Sequence, residues 1–131
     1  MAELSACKIW ATMLKSGNSF SSLAQEEEEL IQFQMSAYYD QSQYNANGWS
    51  IIQYEKQPNV IENNIYRSAY PAVQDSANYW QIMNSVLNDS LHNIAVAHLR
   101  AATSGASSIQ NPHPWIFESD SVYSFVHNGG A

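Results

Sequence analysis

Between His92 and Phe117 the chain carries a single formal charge, Arg100. The first part of that stretch, His92 to Ala101, is apolar enough to lie inside a core as a strand. A strand of that kind needs other layers of structure packed on it. It is also too short for a membrane helix, which requires ~20 apolar residues. Ser104 to Pro114, rich in Gly, Ser, Asn and Pro, reads as the loop that follows. The chain has 131 residues, enough for one domain around one core.

The other elements follow from pattern. Cys7 to Met13 alternates as a strand, and Ser16-Gly17-Asn18 reads as a turn. Gln25 to Tyr38 opens with Glu26 to Glu29, acids suited to the positive end of a helix dipole, and continues with apolar residues. Asp40 to Asn47 is polar and turn-like. Gly48 to Tyr54 predicts a strand, with Val60 to Tyr66 as its hairpin partner. Asp75 is placed to cap a helix running to about Asn88, in which Tyr79, Trp80, Met83, Val86 and Leu87 form one apolar stripe. Trp115 to Phe117 and Val122 to Val126 predict a second hairpin, joined by Glu118 to Ser121. The order β, α, β, β, α, β, β, β predicts a layered α+β domain.

Composition narrows the function classes. Five Lys and Arg stand against twelve Asp and Glu, a net charge of −7. That argues against nucleic acid and anionic membranes, both of which select basic surfaces. The first six residues lack the basic and apolar regions of a secretory signal. A lone cysteine allows no internal disulfide, and a free thiol suits a reducing, cytoplasmic setting. The four histidines show no zinc-ligand spacing, and no phosphate-binding glycine loop is present, so neither a metal nor a cofactor is expected.

Three features carry chemistry. Cys7 is a potential thiolate nucleophile that needs a base. His98, His113 or His127 could serve, as could the α-amine of Cys7 itself if it became the first residue. The plain alternative is a small buried apolar residue. Arg100 is either a two-donor clamp for a substrate carboxylate or a partner for an internal acid. Asn128-Gly129 is either an ordinary turn or a pair of donors to a developing oxyanion. His98 also reads as a hydrogen-bonded strand residue.

Taken in order, these segments resemble class II glutamine amidotransferase domains. Cys7-Lys-Ile-Trp-Ala11 is similar to the N-terminal Cys-Arg-Leu-Trp/Leu start of that family. Asn47-Gly-Trp-Ser-Ile51 is similar to its Asp-Gly-Trp-Gly-Ile strand, with Ser50 in place of a glycine. His98-Leu-Arg-Ala-Ala-Thr103 resembles His-x-Arg-x-Ala/Ser-Thr. Asn111-Pro-His-Pro114 resembles the Asn-x-His/Gln-Pro-Phe loop, and Val126-His-Asn-Gly129 resembles Ala-His-Asn-Gly. The resemblance implies an N-terminal-nucleophile hydrolase fold, an αββα sandwich. It implies glutamine hydrolysis to glutamate and ammonia through a Cys7 thioester, with the Cys7 amine as base. Arg100 would bind the substrate carboxylate, Thr103 would shape that pocket, and Asn128 and Gly129 would form the oxyanion hole. No cofactor is implied. A γ-glutamyl amide of a small metabolite is the alternative substrate. A non-catalytic remnant acting in binding or assembly is the alternative of another class.

Two departures from the family shape the expectations. Cys7 is internal, so residues 1–6 would form a leader removed before activity, leaving 7–131 as the amidotransferase domain. The family's domains also continue past the Asn-Gly turn and supply an Asp for the substrate amine, which has no counterpart here. The chain therefore resembles the first half of such a domain, with Val122 to Val126 as a central strand. Its expected partners are glutamine or a γ-glutamyl substrate, an ammonia-accepting synthase or a second half, and a further copy of itself.

Overall fold

The strand predicted from the uncharged stretch lies inside the main sheet. The computed structural model describes residues 6–54, 63–102, 105–106, 108–120 and 122–128. In it β4 (Ile94–Leu99) is flanked by β1 (Lys8–Met13) on one side and β2 (Trp49–Tyr54) on the other, and β3 (Asn63–Ser68) completes the sheet beyond β2. All three pairings are antiparallel. The predicted hairpin partner of β2 is therefore present but runs on to Ser68, and residues 60–62 of the expected span lie outside the described residues.

Side-chain alternation assigns the two faces of this sheet. Trp49, Ile51, Ala95, Ala97 and Leu99 point to one face and are buried in the main core. Helix α1 (Gln25–Gln41) covers them with Ile31, Met35 and Tyr38, and α2 (Ser76–Leu87) with Tyr79, Met83, Val86 and Leu87. Tyr79 sits against Trp49 edge-on at 5.0 Å between ring centres, a favourable aromatic geometry. The helix starts differ from each other. In α1 the Glu27 carboxylate accepts from the Ala24 N–H at 3.0 Å, so the acid run does secure the first turn. The helix then runs three residues past the predicted end, because neither Asp40 nor Gln41 breaks it.

Asp75 stands at the N-cap of α2, yet its carboxylate makes no capping bond. It accepts instead from Trp49 Nε1 at 3.0 Å, Tyr66 OH at 2.8 Å and Asn78 Nδ2 at 2.7 Å. The expected cap is thus corrected: Asp75 ties α2 to β2 and β3. Burial works to raise its pKa, but the donors from Asn78, Tyr66 and Trp49 outweigh it and hold the carboxyl below its usual range. The Tyr66 phenol is pushed up to about 12, by burial first and then by this acid.

The opposite face of the sheet carries Ser50, Ile52 and Tyr54. A two-stranded sheet, β5 (Trp115–Glu118) with β6 (Val122–Phe125), is fastened over it. Ser50 Oγ donates to the His113 carbonyl, Tyr54 OH meets Ser124 Oγ, and Arg67 Nη2 donates to the Pro114 carbonyl. The α+β class and the order of elements match the expectation. Strand β6 pairs with β5 and with no other strand among the described residues, so the central position expected for Val122 to Val126 is not observed. The described helices cover one face of one four-stranded sheet. No described helix is long and apolar enough to cross a membrane.

Candidate active site

Register brings the two ends of the sequence signal together. Lys8 pairs with Leu99 across β1 and β4, so the residue before Lys8 lies beside those after Leu99. Cys7 is accordingly buried against Ala101, 94 residues away in sequence. Its sulfur accepts from the Ala101 N–H at 3.4 Å and lies 3.6 Å from the Ala101 carbonyl. The backbone just before it is held too: Asn45, 2% exposed, donates through Nδ2 to the Ala6 carbonyl at 2.6 Å.

Arg100 continues β4 and is held by backbone bonds on both sides. Its N–H donates to Gly48 O at 2.9 Å, and its carbonyl accepts from Asn47 N–H at 3.0 Å. Asn47 Oδ1 in turn accepts from Ala102 N–H at 2.8 Å. Gly48 has φ +125°, and a Cβ there would meet Pro112 Cγ and Ser68 O at 2.7 Å each. Only glycine lets β2 start this close to the 111–114 loop. The Arg100 guanidinium, 8% exposed, curls onto the loop after β4, donating to Ala106 O at 3.2 Å and Gly105 O at 3.4 Å. Two backbone carbonyls of that loop thus accept from its side chain.

The histidines form a separate, connected group. His113 N–H donates to His98 Nδ1 at 3.2 Å, and His127 N–H donates to His113 Nδ1 at 3.1 Å. Burial, then the neighbouring His113 and Arg100, push the His98 pKa down to about 3. Burial also lowers that of His113. Cys7 makes no hydrogen bond to any of the three, and two of the imidazoles already spend Nδ1 on backbone amides. The hydrogen bonds of the described residues therefore pair none of these imidazoles with Cys7 as a base. Tyr38, which donates to Lys8 O at 3.1 Å beside the cysteine, is no better suited: burial raises its phenol well above 10 and keeps it neutral.

Asn128 follows β6 and is exposed; among the described residues it makes no hydrogen bond to Cys7 or Arg100. Thr103 and Gly129 lie outside the described residues. The structure thus unites Cys7 and Arg100 at one end of the sheet and reaches Asn128 through His127. Sequence reasoning missed Asn45 and Asn47, the side chains that hold the backbone on either side of this end. Asn45 reads only as a turn signal, and Asn47 enters only as the first residue of the segment similar to the Asp-Gly-Trp-Gly-Ile strand, so neither side chain is marked for this role. No described His, Cys, Asp or Glu side chains converge in threes as a metal site. The chain matches no protein-family model, no curated protein and no solved structure.

Proposed function

We propose that this chain is an N-terminal-nucleophile amidohydrolase domain of the class II glutamine amidotransferase type, acting on the side-chain amide of glutamine. The observation that carries the reading is the seating of Cys7, at the head of an edge strand, against the Arg100–Ala102 segment. An attacking sulfur and a guanidinium at one sheet end suit a substrate with an amide at one end and a carboxylate at the other. The two-stranded sheet laid on the face opposite α1 and α2 supports this reading, as inner layers of an αββα sandwich stack sheet on sheet.

In this reading the Cys7 sulfur attacks the side-chain amide carbon of glutamine. The freed Cys7 α-amine takes the thiol proton and delivers it to the departing ammonia. Asn128 and Gly129 donate to the carbonyl oxygen as it becomes negative. Water then adds to the resulting γ-glutamyl thioester, releasing glutamate and restoring the thiol. Arg100 binds the substrate α-carboxylate, with Thr103 beside it. The amine has to be free, so residues 1–6 are removed first. A nucleophilic thiol of this kind works in a reducing compartment, and we place it in the cytoplasm.

The test is labelling by a glutamine-analogue electrophile, read by mass spectrometry. Chains beginning at Cys7 are expected to be modified on Cys7, and chains retaining residues 1–6 are not. Equal labelling of both forms refutes the amine as base. A companion test is Arg100→Lys, which keeps charge but loses the planar fork. It is expected to lower kcat/KM for glutamine by about 2–4 kcal/mol in transition-state binding. A folded Lys variant with unchanged kcat/KM removes Arg100 from the role of anchor.

A further inference from the structure

Three side chains from three strands form one row on the face opposite α1 and α2: His98 on β4, Ser50 opposite it on β2, and Arg67 opposite Ser50 on β3. Each holds a backbone group of one dipeptide. His98 Nδ1 accepts the His113 N–H, Ser50 Oγ donates to the His113 carbonyl, and Arg67 Nη2 donates to the Pro114 carbonyl. The flanking Pro112 and Pro114 are themselves fully buried. The His113 ring is 7% exposed, its centre 4.3 Å from that of His98 and 4.4 Å from that of Trp115. Every backbone hydrogen-bonding group of this residue is therefore satisfied by the sheet, and its side chain extends the network to a second segment. There its Nδ1 accepts the N–H of His127, the residue just before Asn128.

We propose that His113 is a positioning residue, the link through which the rigid row His98–Ser50–Arg67 sets the place of the His127–Asn128 backbone. Its catalytic consequence rests on the reading of Asn128 as oxyanion donor; the positioning itself does not. Fixing a donor ahead of the reaction is what makes an oxyanion site effective, since a donor that must reorganise contributes less. The link requires a neutral ring, because Nδ1 can accept only without its proton. Among the described residues the charged and titratable groups around it are His98 of β4, Arg100 just after that strand, Arg67 from β3, and His127; none is an anion. Ser50 from β2 and Trp115 from β5 are uncharged. Protonation thus finds no compensating anion among the described residues, and it would set two donors face to face.

The experiment uses the full chain and its processed form, labelled with 15N. His113→Asn keeps an acceptor where Nδ1 stood, and His113→Phe keeps the ring without one. The His127 and Asn128 amide signals should shift in the Phe variant, and His127 exchange should quicken about tenfold or more as its bond is lost. The Asn variant should retain both near the wild-type state. In glutamine turnover the Phe variant should lose about 10–100-fold in kcat with KM little changed, and the Asn variant should recover most of it. Unmoved His127 and Asn128 amides in the Phe variant overturn the proposal, as does a loss in KM alone. If the Phe variant does not fold, the wild-type His127 amide decides. Its protection should fall as the imidazoles protonate, and protection that stays constant through that range overturns the link. Absence of turnover and of Cys7 labelling in the processed wild type would refute the amidohydrolase reading while leaving the amide measurements to judge the positioning role.

Discussion

At the scale of single residues, Gly48 has the least room for change among the described glycines. Its φ of +125° is a conformation that side chains rarely adopt, and the added carbon would press on Pro112 and on the Ser68 carbonyl. Both neighbours are held, one in a buried loop and one in the sheet. Gly48→Ala is therefore expected to cost at least about 2 kcal/mol, read as a lower urea midpoint with an unchanged slope. A change within error would show that β2 can start elsewhere. Asp75→Ala makes the complementary case. It leaves the indole N–H of Trp49, a fully buried residue, without its acceptor, at roughly 1–3 kcal/mol. Chain-local reasoning could place Asp75 at the end of a helix but not foresee its three donors. Two of them, Trp49 and Tyr66, arrive from strands that only the folded sheet brings near. The same holds for Asn45 and for the linked histidines, whose bonds join an imidazole to a remote backbone amide and leave no periodic trace.

At the scale of elements, periodicity was a good guide wherever one face of an element meets the core. The alternation in β1 and the stripe of α2 were legible for that reason; β4 was legible as an uncharged apolar run, and the hairpin β5–β6 as two short apolar runs on either side of Glu118 to Ser121. Boundaries shifted where no breaker stands, as at the end of α1. What joins the elements was not legible, and that joint carries a pH dependence. His98 and His113 hold the segment leading into β5, and both have pKa values lowered by burial, that of His98 to about 3. A depressed pKa means that the unfolded chain binds protons the folded one refuses. Stability from this source is complete above the unfolded histidine value near 6.5 and is lost as pH falls toward the folded value. Urea midpoints should therefore decline below about pH 6.5, by at most about 1.4 kcal/mol per pH unit for each ring kept neutral. Asp75, also depressed, adds its own loss only in the acid range of carboxylates. His98→Asn should flatten the slope between pH 6.5 and pH 5. An equal slope in that variant would assign the acid sensitivity elsewhere.

At the scale of the whole molecule, the two faces of the sheet are treated unequally. One is sealed by α1 and α2. On the other, β5–β6 reaches across β2 and β3, while Ile9 and Met13 of β1 stay 40% and 74% exposed. The hairpin's outward side is apolar as well. Trp115 pairs with Phe125 and Phe117 with Tyr123, and all four are exposed, with Trp115 and Phe125 stacked at 6.0 Å between ring centres. Grouped aromatics on one strand pair, and β1 as an edge strand among the described residues, are surfaces that associate. Opposing this is a net charge of −7, whose repulsion between copies weakens as salt screens it. The expected outcome is association that grows with protein concentration and with ionic strength, measured by sedimentation velocity. Replacing the outward pair, Phe117→Ser with Tyr123→Thr, should reduce it while leaving the far-ultraviolet circular dichroism unchanged, because neither side chain belongs to the main core. If the wild-type chain sediments as a monomer at every concentration and salt level, including where salt screens its charge, the exposed aromatic face does not drive self-association.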